Sequence, residues 1–292
     1  MKAPRWQRVT VVGCGLIGAS FALALRQKGA CARLAGWDAA GSVLDEALAR
    51  GVIDEVDTAF ASGEVCASEL VYLAMPVGEI IEFLGARGPQ LGPGSIITDA
   101  GSTKAEICRA ARAHLPENVY FVGGHPIAGS HHSGLLHARA DLFEGAPYVL
   151  TPVSGEDRAV EAVKETVELL GARVTLMAAG EHDRAMAFIS HLPQLLASAL
   201  AATVRDQPDA SALAALSGPG YRDMTRLAAS SWDVWRGILM TNPAPIADAL
   251  GQFIEKLTRV RDALPPSSDS ASDLATLRAL FQDEPSSGRT VR

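Results

Sequence analysis

Two short segments hold more polar chemistry than a hydrophobic core needs: "DAGSTKAEI" at 99–107 and "GGHPIAGS" at 123–130. The first brings Asp99, Ser102 and Lys104 to one turn between an apolar run and a helix-like stretch. The second sets His125 between Gly124 and Pro126. An imidazole titrates near working pH, so His125 is suited to take a proton without prior activation. A lone histidine is more often a structural residue satisfying loop carbonyls. Ser102 offers a hydroxyl that could meet a ligand or cap the helix that follows, and both uses need the same position. Asp99 and Lys104 read as structural, a buried acceptor and a first-turn residue. Further along, "YRDMTR" presents Arg226, whose planar fork suits a carboxylate. Arg222 and Asp223 lie one turn away, placed to form an ion pair that orients it.

The elements that must position these residues alternate. "RVTVVG", "RLAGWD", "SELVYLAMP", "GSIITDAG", "VYFVGG", "PYVLTP" and "ARVTLM" read as strands; helical stretches such as "LIGASFALALRQKG", "TKAEICRAARAHL" and "EDRAVEAVKETVELLG" separate them. Continuous apolar strands divided by helices predict a mostly parallel sheet covered on both faces. The pattern changes near Ala179. "EHDRAMAFISHLPQLLASALAATVRD" and "PAPIADALGQFIEKLTRVRDAL" are long and helical, Pro193 is expected to kink the first, and no strand is expected after Met177. The expected division is therefore 1–178, an α/β dinucleotide-binding domain; 179–264, an all-α domain; and 265–292, a linker and tail.

The first strand runs into Gly13-x-Gly15-x-x-Gly18, and a helix follows. Asp38 ends the next strand, 20 residues past Gly18. In that context the glycines allow a tight turn, backbone approach to a pyrophosphate and close helix–strand packing, and the helix N-terminus receives the phosphates. Asp38 is placed to accept from an adenosine 2′-hydroxyl and to repel a 2′-phosphate. "DAAGS" after it supplies no arginine, so NAD is favoured over NADP.

The 292 residues, 48% hydrophobic and 20% charged, fit a well-buried chain of two domains. A net charge of −7 without a basic block argues against nucleic acid or an acidic membrane surface as partner. Cys14, Cys31, Cys66 and Cys108 are scattered, which points to reduced thiols and neither zinc nor a disulfide framework. Lys2, Arg5 and Arg8 before an apolar run imitate a signal peptide, but cleavage there would remove the glycine turn. The cytoplasmic reading follows, and no other segment is expected to span a membrane.

"VVGCGLIGAS", "DAGSTK", "GGHPIAGS", "HDRAMAFISHLPQ" and "YRDMTRLAAS" in this order resemble the prephenate/arogenate dehydrogenase family, up to about residue 264. The dinucleotide pattern is shared by many folds; its combination with G-G-H-P-x-A-G and R-D-x-T-R is specific. The length matches a monofunctional form without a fused mutase or full regulatory domain. The resemblance implies a Rossmann-like domain, an α-helical dimerisation domain and a homodimer. It also implies NAD-dependent oxidative decarboxylation of prephenate to 4-hydroxyphenylpyruvate in tyrosine biosynthesis, with arogenate or dual-substrate use as the alternative.

On that resemblance His125 is the catalytic base, Ser102 contacts the reacting hydroxyl or the nicotinamide, and Arg226 grips the ring carboxylate. Gln194, Ser130, His131 and Ser190 line the substrate pocket. Gly13, Gly15, Leu16, Ile17, Gly18, Asp38, Ala74, Met75 and Pro76 hold the cofactor. His182 and His191 read as structural residues near the domain junction. Two positions depart from the family pattern: His131 stands where many relatives carry a charged gate residue, often Glu, and Gln194 where prephenate-using relatives carry a second His. Gln can donate and accept, so it serves a keto acid or an amino acid. His131, His132 and His137 crowd one loop, but adjacent histidines cannot readily share an ion and no metal is expected. The rivals are another β-hydroxyacid-type dehydrogenase, which would use a catalytic lysine where the helical domain offers only Lys256, and a dinucleotide sensor without turnover, which needs no carboxylate clamp.

Overall fold

The computed structural model describes residues 3–129, 134–153, 157–264, 274 and 277–279. Eight strands form one sheet: β1 (Trp6–Val12), β2 (Cys31–Trp37), β3 (Glu55–Val56), β4 (Leu70–Leu73), β5 (Ile96–Asp99), β6 (Tyr120–Pro126), β7 (Pro147–Pro152) and β8 (Arg173–Leu176). Their order is β3-β2-β1-β4-β5-β6-β7-β8, parallel throughout except where β7 runs antiparallel to β6. The helices between them are α1 (Leu16–Gln27), α2 (Gly41–Ala49), α3 (Ala59–Ser62), α4 (Val77–Arg87), α5 (Ala105–His114) and α6 (Asp157–Leu169).

The apolar strands are continuous because both faces are covered. In β4, Leu70 and Tyr72 join the core under α1 and α6, while Val71 and Leu73 join the core under α4 and α5. Parallel register aligns Val12 with Leu73, and Leu73 with Asp99, so the carboxyl ends of β1, β4 and β5 fall on one line. The chain reverses direction in the sheet between β1 and β4, and a crevice at such a switch point is where α/β sheets bind ligands.

From Ala179 onward the described elements are helices: α7 (Ala179–Met186), α8 (Leu192–Arg205), α9 (Ala210–Ala215), α10 (Pro219–Thr225), α11 (Trp232–Thr241) and α12 (Pro243–Ala263). Instead of a simple kink at Pro193, α7 and α8 are joined by a π turn, Ala187–His191. Pro193 has no N–H for the carbonyl of Ile189 and its ring crowds that carbonyl; widening the preceding turn relieves both. Contrary to expectation, the helical run Ala179–Arg205 is long and apolar enough to cross a membrane, and 28% of its apolar window is buried within the chain. Its first turn docks on α5 through Asp183, which ties the run to protein. The helical core is small: Ala187, Ile238, Ile246 and Ala249 are buried, with Phe188, Leu192, Leu195, Trp235 and Leu239 partly so.

Candidate active site

The nucleotide end follows from the turn after β1. Gly13 has φ +89°, and a Cβ there would lie 2.6 Å from the carbonyl oxygen of Ala74. A Cβ on Gly18 would lie 2.0 Å from the carbonyl oxygen of Gly13, so α1 packs on the turn only without a side chain. Gly15 is the N-cap of α1, no side chain caps the helix, and no acid stands in its first turn. The N–H groups of Leu16 and Ile17 are therefore open to an anion. Gly13, Gly15, Asp38, Ala74, Met75 and Pro76 line a cavity of about 410 Å³. Leu16 and Ile17 open the helix beside it, and Gly18 packs beneath the turn.

The Asp38 carboxylate accepts from the Cys14 N–H at 2.9 Å and the Ala40 N–H at 2.9 Å, which fixes it at the cavity wall. Glu79 and Glu82 share that wall; burial, then Glu82 and Asp38, raise the Glu79 carboxyl above its ordinary value. Arg87 also lines the cavity, a cation supplied by α4 that reading along the chain from Asp38 did not find. Burial, then Asp38, push the Cys14 thiol up to about 12, so no thiolate competes at this turn. The open glycine, the unpaired helix N-terminus and the acid at the far wall fit a dinucleotide.

At the carboxyl edge of β5 and β6, Asp99 and Lys104 form a fully buried ion pair. Asp99 also accepts from the N–H groups of Gly101 at 2.8 Å and Gly124 at 2.9 Å. This cluster holds the end of β6, and His125 follows directly. His125 Nδ1 lies 2.8 Å from His182 Nε2, and His182 Nδ1 lies 2.8 Å from Asp183 Oδ1. Burial, then the repulsion a charged His125 would meet from a charged His182, from Lys104 and from a charged His191, hold His125 well below the usual imidazole range, so its neutral form prevails at neutral pH. His182, read from the sequence as a structural residue near the domain junction, touches the predicted base. The adjacent pair His182-Asp183 in "EHDRAM" was the available signal. What the sequence does not show is that α7 docks on the sheet edge.

Ser102 is half-buried beside this cluster and does not cap α5. The cap residue is Lys104, and Asp183 performs the capping from the other half of the chain, accepting from the N–H of Lys104 at 2.7 Å and of Ala105 at 2.8 Å. Asn242 donates to the Asp183 carbonyl at 2.8 Å and to His191 Nδ1 at 3.2 Å. Ser190 is exposed on the π turn.

Arg226 opens a short 3-10 turn, Arg226–Ala229, and its exposed side chain forms no ion pair among the described residues. Arg222 and Asp223 are both exposed and pair neither with each other nor with Arg226 among the described residues. Gln194 holds the 3-10 turn. Its amide donates to the Leu227 carbonyl at 2.7 Å and its oxygen accepts from Ser230 Oγ at 3.0 Å. The Leu227 carbonyl can only accept, which fixes the amide's orientation. Gln194 is 6% exposed. Ser130, His131 and His132 lie outside the described residues. Among the described residues no group of three or more His, Cys, Asp or Glu could hold a metal ion.

A Rossmann-like sheet, a glycine turn with an acid at the second strand, and a partly buried histidine at the sheet edge define a dinucleotide-dependent dehydrogenase. Two family models match the chain: the nucleotide-binding domain of prephenate dehydrogenase over residues 21–176 and its dimerization domain over 178–282. It is 36% identical over 258 residues to prephenate dehydrogenase of Bacillus subtilis (strain 168), covering 87% of this chain and 69% of that one. Identity to the cyclohexadienyl dehydrogenase of Zymomonas mobilis is 30% over 262 residues, 89% of each chain. The solved prephenate dehydrogenase from A. aeolicus in complex with hydroxyphenyl propionate and NAD+ matches with a TM-score of 0.84 at 30% identity, covering 96% of this chain and 94% of that one. The Synechocystis arogenate dehydrogenase matches with a TM-score of 0.76 at 28% identity, covering 94% and 97%. The chain belongs to the prephenate dehydrogenase family.

Proposed function

We propose that this chain is an NAD-dependent prephenate dehydrogenase of the cytoplasm, working as a homodimer through residues 179–264. The observation that carries the reading is the position of His125: at the carboxyl edge of β6, hydrogen-bonded to His182, in a chain whose adjacent crevice fits a dinucleotide. When bound, NAD accepts the hydride leaving ring C4. His125 takes the proton of the 4-hydroxyl, and Ser102 donates to the same oxygen. The ring carboxylate, gripped by Arg226, leaves as CO₂, and the electrons of its bond flow into the ring, which becomes aromatic. His125 then returns its proton to the phenolate oxygen. The product is 4-hydroxyphenylpyruvate, an intermediate on the way to tyrosine. Gln194 bears on specificity by holding the turn that carries Arg226.

Arogenate is the second reading, motivated by Gln194: it stands where many prephenate-using relatives carry a second His, and an amide suits an amino acid as well as a keto acid. Incubating the protein with NAD and either prephenate or arogenate, while following absorbance of the reduced cofactor, tests both. Turnover with prephenate supports the first reading, turnover with arogenate alone supports the second, and turnover with neither refutes both.

A further inference from the structure

The mechanism above uses His125 and leaves two buried neighbours without a task. His182 is fully buried and Asp183 is 2% exposed. They stand in line behind the base, with 2.8 Å from Asp183 Oδ1 to His182 Nδ1 and 2.8 Å from His182 Nε2 to His125 Nδ1. We propose that His182 and Asp183 are positioning residues that fix the tautomer of His125, leaving its Nε2 as the lone pair that takes the substrate proton. This inference rests on the reading of His125 as base.

The hydrogens along this line can be counted. Both Asp183 oxygens already face donors, the N–H groups of Lys104 and Ala105 at the start of α5. A carboxylate at a helix N-terminus is favoured by the helix dipole and accepts only. His182 Nδ1 must therefore carry the hydrogen it shares with Asp183. A neutral imidazole carries one hydrogen, so His182 Nε2 is an acceptor. His125 Nδ1 must then donate to it, and His125 Nε2 is left unprotonated. The asymmetry starts at the cap of α5 and passes through two rings to the reacting nitrogen.

The line also bears on basicity. The groups facing His125 are His182 from α7, with Asp183 behind it, Lys104 paired with Asp99 at the β5–α5 turn, and His191 from the π turn. Burial and Lys104 oppose a positive charge on His125. Donation from Nδ1 toward His182, with the Asp183 carboxylate behind it, favours that charge when the proton arrives. A buried acid behind a catalytic histidine plays the same part in hydrolytic triads.

The test combines tautomer observation with kinetics on the full chain. In ¹⁵N-histidine-labelled wild-type protein, NMR is expected to show His125 with hydrogen on Nδ1 and a bare Nε2. Asp183→Asn keeps an acceptor for α5, but its NH₂ can donate to His182 Nδ1 and reverse both rings. His125 Nε2–H should appear, and kcat should fall about 10²- to 10⁴-fold with KM little changed. His182→Gln can still accept from His125 and should stay within about tenfold of wild-type kcat, whereas His182→Leu should fall with Asp183→Asn. Circular dichroism and NAD binding report folding of each variant. A purely structural role predicts that His182→Gln and His182→Leu lose activity alike and leave the tautomer of His125 unchanged. That result, or a wild-type His125 with hydrogen on Nε2, overturns the proposal. If neither prephenate nor arogenate is turned over, the functional reading fails, and the NMR arm still decides the tautomer.

Discussion

Asp38 is pinned by two N–H groups and shares its cavity with Glu79 and Glu82, three acids against the one cation of Arg87, so a 2′-phosphate would meet net negative charge. Asp38→Ala should raise KM for NAD by roughly 10- to 100-fold, the value of a charge-assisted hydrogen bond, and narrow the gap to NADP; kcat/KM with both cofactors checks it. His125 and Arg226 should fail differently. His125→Asn should lower kcat about 10²- to 10⁴-fold while KM holds, and Arg226→Ala should mainly raise KM for the substrate while NAD affinity stays. Steady-state kinetics on both variants separates these outcomes. His191 offers a stability readout. Burial, relieved in part by Asp183, lowers it from 6.5 to about 4. The unfolded chain therefore binds more protons than the folded one between those values, and stability falls as pH drops through that window. The loss is about 1.4 kcal/mol per pH unit from this one group. Urea midpoints measured from pH 7 to pH 4 should show the slope, and His191→Gln should flatten it.

At the scale of elements, α1 sits on the glycine turn so closely that a methyl group at position 18 would meet a backbone oxygen at 2.0 Å, with no side chain able to yield. Gly18→Ala should cost about 1–3 kcal/mol, as overpacking does, and weaken NAD binding; thermal melts with and without NAD measure both. The glycine spacing and Asp38 were legible in the sequence because strand, turn and helix there are neighbours along the chain. So were the sheet strands, whose alternation in β4 serves two cores at once. The two-residue β3 was not, because it is defined by pairing with β2 rather than by its own pattern. Ser102 stands near the start of α5, where a capping hydroxyl is expected, yet the cap comes from Asp183, 78 residues beyond Ala105. The contact of His182 with His125 was hidden for the same reason: nothing local reveals which sheet edge a helix will meet. Gln194 could be read as a departure from the family pattern, but its engagement with Leu227 and Ser230 depends on how α8 packs.

Over the whole molecule, the helical half is short of cover. Leu216 is 82% exposed, Met240 71%, Ile189 69% and Trp232 66%, while its own buried core holds four residues. Apolar surface of that extent is the mark of an interface, and the family model over 178–282 is a dimerization domain. Light scattering at micromolar concentration should give twice the 30.6 kDa chain mass, and Trp232→Glu together with Met240→Glu should shift it toward one chain; a wild-type monomer would refute the dimer. The cap that crosses between the halves has a further consequence, for recombination. The carboxylate that caps the start of α5 and stands behind His182 and His125 is encoded after the sheet ends, in the segment a gene fusion would exchange. On the proposal above, a chimera joining this sheet to a relative's helices should keep a working His125 only if the incoming segment brings an acid into the register of Asp183. Exchange at the domain boundary is thereby filtered at a single codon, and Asp183→Ala within an otherwise native chain should reproduce the defect of a mismatched chimera: a folded, cofactor-binding protein with a frayed α5 and depressed kcat.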